Sequence, residues 1–285
     1  MMLAGQAIDI GEIVLHHTAD AYSIDFYPIG HLAWHKSAAL QFGSVNLTPT
    51  KHVVFLVLAA LLVFLTMKLA GLALARQRAG QNAPKGFAAA MEGLVLFVRN
   101  EIAIANIGHD GAKFAPLIMT LFFFILYSNL FGLLPWGASP TANLAVTASL
   151  AILVFLTIEI GGFLKLGPKG YFRTIFPVMP GMGGAGGVAM SIAMGPIEIL
   201  GKLVKPIALA VRLFGNMTAG HFVILSLFGI VFLFGNLGIW SYGIAAATVL
   251  LVVGIMLLEL FVAFLQAYVF ALLSAVFIGL LQQEH

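Results

Sequence analysis

The sequence predicts an all-α polytopic membrane protein with about five membrane helices and an amphipathic N-terminal arm. Of the 285 residues, 61% are hydrophobic and only 9% are charged, whereas soluble domains carry about 25% charged residues. The mean hydropathy is +1.05, and apolar stretches long enough to cross a bilayer follow one another from residue 53 onward. Basic residues are concentrated in gaps between these stretches, a pattern typical of cytoplasmic loops.

The composition excludes several classes of site. The chain has no cysteine, so disulfide bonds, thiolate metal sites and iron–sulfur clusters are impossible. The histidines up to His52 lie in the polar head of the chain without the spacing of a metal site, and we predict no catalytic centre, cofactor or metal. The isoelectric point near 9.2 reflects charges in loops. It therefore argues for a membrane orientation and not for nucleic-acid binding.

Residues 1–50 are predicted to form an outside-facing amphipathic arm, and residues 51–285 the membrane domain. The arm contains four acidic residues before its first basic one, Lys36, so it lacks the basic start of a signal peptide.

Three single spans are predicted, at residues 53–74, 114–134 and 144–164. Clusters of basic residues follow the first and the third: Arg76, Arg78 and Lys85, then Lys165, Lys169 and Arg173. The positive-inside rule assigns both loops to the cytoplasm and the N-terminus to the outside. The intervening segment 87–108 contains three charged residues and is predicted to be an interfacial helix. Glu159, near a membrane edge, is expected to pair with Lys165.

The last third contains two apolar segments that are too long for upright spans. Residues 197–234 comprise 38 residues, bounded by Gly195-Pro196 and Gly235-Asn236, and residues 241–281 comprise 41. An unbroken helix of the first length reaches roughly 57 Å and would tilt by about 60° to fit a hydrocarbon core of about 30 Å. Length alone leaves two alternatives equally open: an unbroken tilted hairpin, or shorter helices broken at glycine or Pro206.

Helical spacing sorts the polar residues of this hairpin. Glu198, Lys205 and Arg212 recur at steps of seven and form one stripe, which Asn216 continues. His221 lies nine residues beyond Arg212 and half a rotation away from it. On the second segment, Glu259 and Gln266 are again seven residues apart.

From residue 206 to residue 283 the only formal charges are Arg212 and Glu259. An arginine at mid-bilayer costs from a few to more than ten kcal/mol, so it must have a partner. Glu259 could neutralise it in a buried salt bridge, and His221, Asn216 and Gln266 could simply hydrogen-bond neighbouring helices. A carboxylate and an imidazole on one hairpin are also the parts of a proton relay.

Several motifs along the chain resemble motifs of one protein family and occur in the same order. The run from Ala210 to Gly220, Ala-Val-Arg-Leu-Phe-Gly-Asn-Met-Thr-Ala-Gly, is similar to the signature of the a subunit of F-type ATP synthases. So are Ser-Asn-Leu-Phe-Gly-Leu-Leu-Pro at 128–135, Pro-Thr-Ala-Asn-Leu at 140–144, the run 260–270 and the ending 282–285. The resemblance covers the chain from about residue 51 onward.

That resemblance implies a proton-translocating stator subunit without nucleotide chemistry of its own. Its hairpin would be unbroken, strongly tilted and set against a rotor ring of c subunits. Arg212 would face ring carboxylates and separate two offset aqueous half-channels. His221, Glu259 and Asn216 would serve the outer half-channel, with Gln266 near Arg212.

In the same scheme Glu198 would serve the cytoplasmic exit. The implied partners are the c ring, the b subunits of the peripheral stalk and membrane lipid, with no nucleic acid. The implied location is the cell inner membrane, with the N-terminus outside and the C-terminus in the cytoplasm.

Two departures from many bacterial relatives concern the proposed pathway. Those relatives carry an acid at the position of His221 and a histidine at that of Glu259, so the pair is exchanged here, as in mitochondrial-type members. Asn143 stands where many relatives have Asp, so no charged channel mouth is expected there. The alternative function is a secondary transporter with a mid-membrane Arg212 and Glu259 site, although such proteins usually show internal repeats and none is found.

Overall fold

A computed structural model describes residues 21–26, 30–34, 41–42, 45–46, 48–78, 86–134, 137–177, 185–234 and 238–283. The described part of the arm forms two short antiparallel hairpins, β1 (Ser23–Phe26) with β2 (Gly30–Ala33), and β3 (Gln41–Phe42) with β4 (Val45–Asn46). Residues 1–20 lie outside the described part, as do residues 284 and 285 of the C-terminal motif. The amphipathic character of the arm and the boundary at residue 50 therefore stay predictions.

The described residues from 51 onward are overwhelmingly helical. The α-helices are α1 (Lys51–Arg78), α2 (Phe87–Phe97), α3 (Ala105–Ile107), α4 (Gly111–Gly132), α5 (Leu144–Ile175), α6 (Ala185–Leu233) and α7 (Ile239–Gln283). A π-helical segment (Val98–Ile104) joins α2 to α3, and a 3-10 turn (Pro140–Ala142) precedes α5. Within the described ranges, five of these helices, α1, α4, α5, α6 and α7, are long and apolar enough to cross a membrane. The prediction of an all-α protein with about five membrane helices is confirmed.

The two long helices at the end of the chain are unbroken. Helix α6 has 49 residues and α7 has 45, and neither is interrupted at Gly215, Gly220 or Gly254. The predicted start of the first at residue 197 is wrong, because α6 begins at Ala185 and contains both Pro196 and Pro206. Prolines are tolerated in membrane helices, where other groups satisfy the freed carbonyls. The tilt stays a prediction, and residues 235–237 of the connecting turn lie outside the described ranges.

Helix α5 runs further than predicted but changes direction on the way. The predicted end was residue 164, whereas the helix continues to Ile175 with a kink at Gly167 (φ 67°, ψ 173°). A positive φ favours glycine, and the following Pro168 cannot donate a backbone hydrogen bond. The predicted span is thus the straight part of α5.

The helices are divided between two compact units. The first unit comprises residues 1–62, 124–143 and 213–266, and the second comprises residues 63–123, 144–212 and 267–285. In the first unit, Ser128, Asn129, Leu213 and Ala263 are almost fully buried. In the second, the π-helical segment buries Val98, Ile102 and Ala103 completely.

A cluster of ionic groups lies at the start of α4 in the second unit. Lys113 and Lys165 each place Nζ 2.9 Å from an oxygen of Asp110. Hydrogen bonds from Lys113 and then from Lys165 lower the pKa of Asp110 to about 2, so the carboxylate remains ionised at physiological pH. Lys165 therefore links α5 to the ionic cluster at the start of α4, and the expected pair between Lys165 and Glu159 is not formed.

The end of α7 packs directly on backbone in the second unit. A Cβ atom at Gly279 would overlap the carbonyl oxygen of Asn106, whose side chain donates to the carbonyl oxygens of Glu101 and Ile102 (3.1 and 2.9 Å). This close packing requires glycine.

We expect Gly279→Ala to lower the free energy of unfolding by about 1–3 kcal/mol, since the added methyl group overlaps backbone that cannot rotate away. Thermal unfolding of the full-length chain in detergent measures this. Gly243→Ala, on the same helix with nothing within 4 Å of its Cβ position, is the control and should be neutral or slightly stabilising. Equal effects of the two changes would contradict the packing argument.

Candidate functional site

The first unit contains a cavity of about 470 Å³, called the histidine cavity here. Its polar lining residues are His52 from α1, Ser139 from the loop before α5, Thr218 and His221 from α6, and Glu259 from α7. Most of the remaining wall is apolar. A volume of this size holds several water molecules, provided that polar groups bind them.

Two glycines make room for the ionisable groups of the histidine cavity. A Cβ atom at Gly220 would overlap Oε1 of Glu259, and one at Gly132 would lie 3.0 Å from Nε2 of His221. Glu259 is only 8% exposed, and His221 is half-buried. The carboxyl and imidazole groups that the sequence predicted as a relay thus line one cavity.

A hydrogen-bonded corner supports one wall of this cavity. Asn129 donates from Nδ2 to the carbonyl oxygen of Ala263 (3.2 Å) and accepts at Oδ1 from the hydroxyl of Thr141 (2.6 Å). The hydroxyl of Ser139 donates to the carbonyl oxygen of Ser128 (3.0 Å) and lies 2.7 Å from that of Thr141. The corner therefore connects α4, α7 and the loop before α5 within the first unit.

His52 is the residue of this site that sequence reasoning missed. The sequence pattern groups it with the histidines of the polar arm, but it lies in the first turn of α1, is 5% exposed and lines the histidine cavity. Its Nδ1 atom lies 3.1 Å from the carbonyl oxygen of Ser139. The sequence feature that points to His52 is its position immediately before the first apolar span, where a polar side chain would lie at the membrane boundary.

The second unit contains a smaller cavity of about 140 Å³, called the lysine cavity here. Its polar lining residues are Glu159, Thr174, Glu198, Lys202 and Lys205. The predicted site residue Glu198 is half-buried in this lining. A mixture of two carboxylates and two ammonium groups is unusual in an apolar chain, and it makes the lysine cavity a second candidate site.

Lys202 is held in the lysine cavity by several contacts. Its Nζ atom lies 3.7 Å from Oε2 of Glu159, 3.1 Å from the hydroxyl of Thr174 and 4.7 Å from the centre of the Tyr171 ring. The hydroxyl of Tyr171 also donates to Glu159. Glu159 is thus paired with Lys202 and Tyr171, which corrects its expected pairing with Lys165.

The remaining predicted residues lie outside the lining of both cavities. Arg212 and Asn216 are exposed on α6, and Gln266 on α7 is 5% exposed. Among the described residues Arg212 forms no ion pair. Because Arg212 is exposed, its guanidinium group does not take part in a buried salt bridge. Its predicted role, like those of Asn216 and Gln266, stays a prediction. No group of three or more potential metal ligands occurs within the described ranges.

Comparison with known proteins agrees with the resemblance seen in the motifs. The family model described as "ATP synthase A chain" matches residues 52–279. The "ATP synthase subunit a 2" of Chlorobaculum tepidum is 43% identical over 284 residues, which cover 97% of this chain and 76% of that protein. The "ATP synthase subunit a" of Anaeromyxobacter dehalogenans is 42% identical, covering 96% and 71%, and that of Myxococcus xanthus is 44% identical, covering 85% and 75%. The chain therefore belongs to the ATP synthase A chain family, as the membrane subunit called subunit a.

Proposed function

We propose that this chain forms the proton channel in the stator of an F-type ATP synthase. The observation that carries the proposal is the presence of two distinct cavities, each with several ionisable residues in its lining, in a chain that is otherwise apolar. Intramembrane ionisable groups usually mark ion pathways. Membership of the ATP synthase A chain family favours this function over a secondary transporter.

The histidine cavity is assigned to the outer half-channel. Glu259 and His221 line it and make no ion pair among the described residues. They carry a carboxyl and an imidazole group, which are the parts of a proton relay. Thr218 supports hydration of this path, because its buried hydroxyl oxygen has no hydrogen-bond partner in the described part of the chain, and such groups are normally bound to water. Asn216, on the exposed face of α6, is assigned to the inner end of the path.

Arg212 is assigned to the contact with the c ring. Its exposure within an apolar span is costly unless a partner or water meets it, and a carboxylate on each ring subunit supplies that partner. At 4 Å and an effective dielectric constant of 20, the attraction is about 4 kcal/mol, equivalent to about three units of carboxylate pKa. This is sufficient to make an arriving ring site release its proton, while the fixed charge blocks a direct leak. Gln266 is assigned to the neighbourhood of Arg212.

The lysine cavity is assigned to the cytoplasmic half-channel. Along α6, its lining residues run from 198 to 209 and those of the histidine cavity from 214 to 228, so Arg212 follows one set and precedes the other. Glu198 is the carboxylate that accepts the released proton. Lys202 is already paired with Glu159, which leaves Glu198 without an ion pair among the described residues.

The proposed assembly includes the c ring at Arg212, the b subunits of the peripheral stalk and surrounding lipid. Nucleotide chemistry belongs to other subunits, so the chain is not an enzyme by itself. The protein would be a multi-pass protein of the bacterial inner membrane, with its N-terminus outside and its C-terminus in the cytoplasm, in agreement with the basic loops after the first and third spans.

Replacing Arg212 with Ala in the assembled synthase should abolish proton-driven ATP synthesis, because the ring carboxylates would keep their protons. Synthesis is measured in membrane vesicles after an acid–base jump. Arg99→Ala is the matched control, since Arg99 is exposed on the π-helical segment and lies outside both cavity linings. Retention of synthesis in the Arg212 variant, at normal amounts of assembled complex, would refute the proposed function.

The double exchange His221→Glu with Glu259→His should recover more proton flux than either single change. Each single change leaves two acids or two imidazoles at positions 221 and 259, whereas the double exchange restores one of each. Proton flux through the complete synthase is measured by a pH-sensitive dye in vesicles. A double variant that conducts no better than the single variants would argue against a paired relay.

A further inference from the structure

The histidine cavity has a second imidazole, on His52, that the proposed pathway does not use. We propose that His52 is a proton-carrying residue at the outer mouth of this cavity, exchanging protons between the external solution and the His221–Glu259 pair through cavity water. The inference rests on the proposed function and adds a residue to its outer half-channel.

The hydrogen bond to Ser139 fixes the chemistry of the His52 ring. A backbone carbonyl can only accept, so Nδ1, at 3.1 Å from the oxygen of Ser139, must carry hydrogen. In the neutral ring Nε2 is then the basic nitrogen. A proton from water binds the Nε2 lone pair to give an imidazolium, and later leaves from Nε2 to another water, while Nδ1 keeps its hydrogen throughout. The ring returns unchanged, as a carrier must.

The carbonyl group that holds His52 is itself fixed. The hydroxyl of the same residue, Ser139, donates to the carbonyl oxygen of Ser128 and contacts the hydroxyl of Thr141. Ser139 is 1% exposed and Thr141 is fully buried. The ring orientation of His52 is therefore set by the same corner that supports the cavity wall, which is the arrangement expected of a positioned proton-transfer group.

Within the part of the chain that the structure describes, the charged and titratable groups in the first turn of α1 are Lys51, which is 9% exposed, and His52. The lining contributes His221 from α6 and Glu259 from α7, and its residues from the loop before α5 have no titratable side chain. The position of His52 in the first turn of α1 agrees with a mouth on the outer side, where the N-terminus is predicted to lie.

Two substitutions separate proton carriage from a purely structural hydrogen bond. In His52→Gln the amide can still donate to Ser139 but cannot titrate. In His52→Glu the side chain titrates, but its ionised form cannot donate. A carrier role predicts that Gln fails and Glu restores function, whereas a structural role predicts the opposite.

The experiment measures acid–base-driven ATP synthesis by the complete synthase in vesicles, at constant driving force, while the pH on the outer side is varied from 5 to 8. We expect His52→Gln to lower the rate of ATP synthesis about tenfold. This loss is smaller than the usual contribution of a general acid or base, because water offers a parallel path for protons. His52→Gln should also remove one ionisation from the pH profile. His52→Glu should restore the rate, with its optimum at lower pH. His109→Gln, the same change at an exposed histidine of the second unit, should match the wild type.

Other outcomes overturn the inference. A normal rate and pH profile in His52→Gln would do so, as would loss of activity in His52→Glu alone or equal losses in both variants with an unchanged profile. Glu259→Gln and His221→Gln separate this result from the proposed function. If both of those variants retain synthesis, the proposed function fails; if they lose it and His52→Gln does not, only the role of His52 fails.

Discussion

The carboxyl group of Glu259 occupies space that exists only because the facing residue, Gly220, has no side chain. Moving a carboxylate from water into an apolar interior costs several kcal/mol even after relaxation, and no ion pair in the described residues offsets that cost. What the first unit provides instead is a cavity lined by polar groups. The close approach at Gly220 and the hydrogen bond from Asn129 to Ala263 hold this part of α7 against α6 and α4, so the cavity depends on both.

The carboxyl groups of the two cavities have different partners. In the lysine cavity, the carboxylate of Glu159 accepts a hydrogen bond from the hydroxyl of Tyr171 and forms an ion pair with Lys202. In the histidine cavity, Glu259 makes no ion pair among the described residues, so its charge depends on water and on nearby imidazoles. The first arrangement fixes the carboxylate between two partners, and the second leaves the carboxyl group facing the cavity. On the proposed function, the first provides a fixed environment for Glu198 and the second carries protons.

Much of the fold follows from the sequence, because span length and charge distribution are local properties. The spans of α1, α4 and α5 were predicted close to their observed positions, whereas the start of α6 was not. A Gly-Pro pair usually ends a helix in a soluble protein, but α6 continues through Gly195 and Pro196, as membrane helices can. The Lys202 pairing of Glu159 and the cavity position of His52 depend on which helices meet within a unit. Periodicity along one helix carries no information about that. The expected Lys165 pairing is not formed because Glu159 and Lys165, six residues apart on α5, face different sides of the helix, and Lys165 binds Asp110 instead.

The motifs that resemble the family have a structural role in the wall of the histidine cavity. They include Ser128 and Asn129, and the Pro-Thr run at residue 140. In the structure, Asn129 joins the carbonyl oxygen of Ala263 to the hydroxyl of Thr141, and Ser139 joins Ser128 to His52. These residues do not titrate, yet they set the distance between α4, α7 and the first turn of α1 within one unit. A proton path through water needs such fixed walls, because the relay depends on the spacing between groups that can titrate.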